Sequence, residues 1–70
     1  MEVLVFKTNI STPDVTPLVA DRLTRVSGIA RWTIDFGDRD KVLRVESQAA
    51  QPHDIVRVIT SAGFRCEELD

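Results

Sequence analysis

Few side chains in this sequence could do chemistry, and their positions narrow what that chemistry would be. Cys66 is the one thiol and His53 the one imidazole. Thiolate and imidazole are soft or borderline metal ligands and good nucleophiles, but each stands alone here. Cys66 lies on the same strand face as Phe64 and is expected as a small core residue. Its alternative role, redox chemistry or metal capture, would need a second chain. His53 follows Pro52 at the start of a predicted helix and is expected in solvent. Asp14, Asp38 and Asp40 form a second group, whose oxygens would suit a hard ion such as calcium or magnesium. Arg39 and Lys41 interleave them, which favours an ordinary surface. Residues 9–14 precede a helix start, where free backbone N–H groups can accept an anion. Pro13 removes one donor and Asp14 repels an anion, so a loop capped by its own Thr12 is expected.

The elements that position these residues follow from hydrophobic spacing. Glu2–Thr8 is rich in Val, Leu and Phe and predicts a strand. Val15, Leu18, Val19, Leu23 and Val26 make a helical stripe. Its start is ambiguous: either the helix begins at Pro13 with one bond missing, or a short turn precedes a regular helix from Pro17. Ser27-Gly28 is expected to end it. Residues 29–36 predict a second strand, with Trp32, Ile34 and Phe36 on one face. Gly37-Asp38-Arg39-Asp40 is a turn, and residues 41–46 make a third strand carrying Leu43 and Val45 inward. Pro52 opens a second helix with the stripe Ile55, Val58, Ile59 and Ala62. Gly63 ends it, and residues 64–69 form a last strand. The order β-α-β-β-α-β, with one apolar stripe per helix, predicts an α+β, ferredoxin-like fold: four antiparallel strands with both helices on one face. The expected core is Leu4, Phe6, Ile10, Val15, Val19, Leu23, Val26, Ile29, Trp32, Ile34, Leu43, Val45, Ile55, Val58, Ile59, Phe64 and Cys66.

Size and charge exclude several functions. A chain of 70 residues buries about 60% of its unfolded surface. That predicts one domain over residues 1–70 with little room for a large substrate cavity. Nine basic against eleven acidic residues give a net charge of −2, and the basic residues are dispersed. Nucleic-acid binding and polybasic membrane contact both need concentrated positive charge, so neither partner is expected. One cysteine permits no internal disulfide. The opening MEVLVFK lacks the charged and apolar regions of a signal peptide, and the longest apolar run is residues 3–6. A cytoplasmic location is expected.

Several segments, taken together, resemble the heavy-metal-associated (HMA) domain, the fold of small copper chaperones, mercury-binding proteins and modules of metal-pumping ATPases. Ile10 stands where that family has a buried Met before its metal loop. Ser27-Gly28-Ile29 is similar to its Pro-Gly-Val, and Trp32-Thr33-Ile34-Asp35-Phe36 to its V-x-V-D-L strand. Ile59-Thr60-Ser61-Ala62-Gly63-Phe64 is similar to its I-x-x-A-G-Y/F ending. The resemblance implies the same fold, and in the family the chemistry resides in M-x-C-x-x-C. Counted from Ile10, the two cysteine positions are Thr12 and Val15. Neither side chain can replace a thiolate, so the metal loop is degenerate.

The function expected from these residues is a non-catalytic HMA-like interaction or regulatory module without metal or other cofactor. Its protein partner is unidentified by sequence; a homodimer through the open sheet face or an edge strand is one form. The alternative is copper or zinc binding through an unconventional site using Cys66 or the three aspartates. An enzyme is not expected. Asn9 and Arg31 could serve a phosphate-cleaving site, but no glycine-rich cradle follows the first strand. Base stacking on the sheet is disfavoured because the third strand has no aromatic residue.

Overall fold

The computed structural model describes residues 1–69; Asp70, the last residue of the expected domain, lies outside the described residues. The strands are β1 (Glu2–Thr8), β2 (Ile29–Asp35), β3 (Val42–Ser47) and β4 (Cys66–Glu68), and the helices are α1 (Thr16–Leu23) and α2 (Pro52–Ser61). All pairings are antiparallel, in the order β2-β3-β1-β4. This is the expected ferredoxin-like arrangement, with β1 and β3 central and β2 and β4 at the edges.

Strand alternation decides what is buried. Leu4 and Phe6 of β1 and Leu43 and Val45 of β3 turn inward to meet Val19 and Leu23 of α1 and Ile55 and Ile59 of α2. Every residue of the expected core is buried or packed against this cluster, which also takes in Ala50, Phe36 and Val56. Two polar side chains, Thr8 and Ser47, share the interior. Ser47 Oγ donates to the Ala50 carbonyl at 2.8 Å, so its burial leaves no unpaired hydroxyl.

The first helix takes the second of its two expected starts, to within one residue, and stops earlier than expected. Pro13–Val15 forms a separate 3₁₀ turn, and α1 begins at Thr16 with Pro17 in its first turn. Pro17 has no N–H and so is tolerated only within a first helical turn; Thr16 before it still takes helical backbone, φ −54 and ψ −42, so α1 starts one residue ahead of the second of the two expected starts. At the other end α1 stops at Leu23, well before Ser27-Gly28. Arg25 N bonds Arg22 O and Val26 N bonds Leu23 O, a tightening to three-residue spacing. Thr24 Oγ1 donates to Asp21 O at 2.7 Å, satisfying a carbonyl at the helix end. The second strand carries an irregularity between Ile29 and Arg31. That extra residue lets Ile29 and Trp32, of opposite parity, both pack on the core.

Gly28 joins the two halves. It has φ +89, and its carbonyl accepts from Gln48 N at 2.8 Å and Ala49 N at 3.2 Å. A Cβ placed there would lie 2.7 Å from Ala50 N and 2.8 Å from Ala49 Cβ. Gly63 also has a positive φ, +98, but nothing lies within 4 Å of its would-be Cβ. Gly63→Ala is therefore expected to cost about 1–2 kcal/mol through its backbone alone. Gly28→Ala adds an overpacking cost of about 1–3 kcal/mol. Urea denaturation of the two variants checks the order; equal losses would contradict the close approach at Gly28.

Candidate functional site

The end of the sheet carrying the first loop is organised around Thr8. The alternation that buries Leu4 and Phe6 also turns Thr8 inward, where its polar atoms need partners. Its N–H donates to Asp40 O at 3.0 Å, and its hydroxyl donates to Lys41 O at 2.6 Å. The same hydroxyl accepts from Ile10 N at 3.2 Å. These bonds bring the loop beside the β2–β3 turn and direct Ile10 into the core, where it is fully buried. Lys41 is held at φ 46, and its Nζ donates to Phe36 O at 2.9 Å. Asn9 Oδ1 accepts from Arg65 N at 2.7 Å, fastening the loop to the segment before β4. That contact spans most of the chain, and the sequence carries no local signal for it.

Thr12 is exposed, with extended backbone (φ −134, ψ 150), and makes no side-chain capping bond. The self-capped loop is thus corrected. A single 3₁₀ turn follows Thr12, so no run of α-helical amides is aligned for its hydroxyl. Val15 is half-buried and packs on the core. The two positions three residues apart therefore present a hydroxyl in water and an isopropyl group against apolar side chains.

The other candidates are dispersed or engaged. Asp38 Oδ1 accepts from Asp40 N at 2.7 Å, and Asp40 Oδ1 lies 3.7 Å from Lys7 Nζ. Asp14 is exposed on the 3₁₀ turn. Among the described residues, no three His, Cys, Asp or Glu side chains converge as metal ligands. His53 is exposed in the first turn of α2, with Nε2 3.3 Å from Asp54 Oδ1. Since Glu2 pairs with Ser47, α2 starts at the end of the sheet opposite Thr8, and His53 is remote from the loop. Cys66 faces Thr8 across the β1–β4 ladder. It is half-buried against the core, and desolvation pushes its thiol up from 9.0 to about 12. The donors at hand do not fit a soft ion bound in the loop: both candidate positions lack sulfur, and the one thiol resists ionisation.

No family model matches the sequence, and no curated protein matches it either. Solved structures do match in shape. The N-terminal domain of PacS from Synechocystis superimposes with a TM-score of 0.82 at 11% identity, covering 100% of both chains. The yeast copper transporter domain Ccc2a, solved in apo and Cu(I)-loaded states, gives 0.84 at 17% identity over 100% of this chain and 97% of that one. A copper-binding domain from HMA7, a P-type ATPase, gives 0.79 at 20% identity over 100% and 96%. The chain has the fold of a heavy-metal-associated domain.

The environment of Cys66 predicts low reactivity. At pH 8 a maleimide should label it roughly 100- to 1,000-fold more slowly in the native protein than in denaturant, following the thiolate fraction. Native rates equal to denatured ones would contradict the packing. The folded protein holds this proton more tightly than the unfolded chain does. The contribution to stability is therefore fully present below pH 9 and lost as pH rises toward about 12. Cys66→Ala should remove that alkaline slope in denaturation measurements.

Proposed function

We propose that this chain is a non-catalytic HMA-like module that works by protein interaction or regulation and carries no soft metal in its first loop. The observation that carries this reading is the pair Thr12 and Val15. One offers a neutral hydroxyl to solvent, and the other fills the inner side of the loop with an apolar side chain packed on the core. Two thiolates held at that spacing would converge on Cu(I), Zn(II) or Hg(II); a hydroxyl and an isopropyl group cannot. Packing Val15 inward also gives the loop a dry contact where a ligand would need access. Size favours the non-catalytic reading, and a cytoplasmic location belongs to the same proposal. Among the described residues, no helix is long and apolar enough to cross a membrane.

The second reading is metal binding through an unconventional site. It is favoured by the similarity to domains named for copper transport and copper binding. One titration separates the two. Cu(I), Zn(II) and Hg(II) are added under reducing conditions, with the complex followed by competition against a chromophoric chelator. The expected result is no tight 1:1 complex in the wild type. The double substitution Thr12→Cys with Val15→Cys should create one, because it supplies two thiols at the spacing that suits a soft ion. A tight wild-type complex that survives Cys66→Ser would sink the proposal and favour the second reading.

A further inference from the structure

Strand β2 is an edge of the sheet, and among the described residues its outer backbone groups have no strand partner. Such an edge is a template for another strand unless something blunts it. The irregularity in β2 lies between Ile29 and Arg31. Residues 31–35 pair with β3 in an unbroken ladder, from Arg31 opposite Glu46 to Asp35 opposite Val42. This run contains no proline and no lysine. Its two charges have opposite signs and stand at its ends, with Thr33 midway. Arg31, Thr33 and Asp35 are exposed on the face away from the helices, while Trp32 and Ile34 are half-buried on the helix side.

We infer that β2 pairs with β2 of a second copy of this chain, antiparallel, about a two-fold axis at Thr33. In that register Arg31 of each copy faces Asp35 of the other, Trp32 faces Ile34, and Thr33 faces Thr33. Opposite charges and an aromatic–aliphatic pair directly across an antiparallel ladder are both stabilising. The contact is isologous, so each favourable pair occurs twice. A parallel pairing in register would set Arg31 against Arg31 and Asp35 against Asp35; the charges therefore select the antiparallel arrangement. Arg31 already holds Glu46, through Nε at 2.7 Å and a terminal nitrogen at 2.6 Å. A guanidinium has five N–H donors, so it can hold both carboxylates. A groove of about 390 Å³, lined by Leu23, Val26, Ile29 and Trp32 among others, borders this edge on the helix side. The same register brings Phe36 of the second copy level with Ala30, at the groove's margin. The contact is short, so the dimer belongs to the weak, concentration-dependent class.

This inference supplies a partner for the interaction reading above, and its test is independent of the metal titration: failure of either leaves the other standing. Sedimentation in the presence of a chelator, from micromolar to millimolar protein, should show a monomer–dimer equilibrium. Emission of Trp32, the one tryptophan, should shift to shorter wavelength with the same midpoint. Arg31→Glu and Asp35→Arg should each weaken self-association at least tenfold. Mixing those two variants should restore a 1:1 heterodimer, because both cross-strand pairs are then opposite in sign again. Circular dichroism confirms that each variant folds. Independently of the variants, concentration-dependent chemical-shift changes in the wild type should centre on residues 31–35. A wild type monomeric throughout, single variants that dimerise like it, folded variants that fail to associate on mixing, or shifts centred on Val3 and Val5 would each overturn the pairing.

Discussion

A single buried hydroxyl organises the end of the sheet where a metal loop would stand. Thr8 donates to Lys41 O and accepts from Ile10 N while its own N–H bonds Asp40 O. With its hydroxyl removed, Ile10 N and Lys41 O would both lose their partner, and unpaired buried polar groups are costly. The path of the loop, the left-handed backbone at Lys41 and the descent of Ile10 into the core all depend on it. The 3₁₀ turn then leaves that anchored stem in a fixed direction, with Thr12 outward and Val15 inward. The loop's chemistry is thus set by which residues fill these fixed directions.

The architecture was largely legible because the hydrophobic periods change cleanly along the chain. The inward set of β1 and β3 follows strict alternation, and each helix shows one apolar stripe. The ends of α1 were less legible. Pro13 and Pro17 both mark plausible starts, and the stop at Leu23 depends on Thr24 bonding back to Asp21 O, a local competition that hydrophobic spacing does not report. The irregularity in β2 did leave a trace in the sequence. Ile29 and Trp32 have opposite parity, so they can share a face only if an extra residue intervenes between them. Their joint assignment to the core already required it.

The candidate site was legible in what it lacks and obscure in how it is held. Thr12 and Val15 could be placed by counting from Ile10 once the fold was suspected. The anchoring of Asn9 to Arg65 N joins the two ends of the chain, and no single-sequence pattern encodes such a pairing. Burial of Thr8 was implied by its place after Leu4 and Phe6, but its three partners belong to segments that only the folded sheet brings together. Cys66 fell on the expected face; its half-buried position keeps the thiol protonated well above pH 9.

The two edges of this sheet are unlike. On one side β2 offers seven residues; on the other β4 offers three, two of them glutamates. An incoming strand on the β4 side would find few hydrogen-bonding groups and two negative charges. Strand-by-strand growth, the route by which sheets extend into fibres, is therefore arrested at that side. Growth of this sheet from edge to edge is thus limited by the shortness and charge of β4.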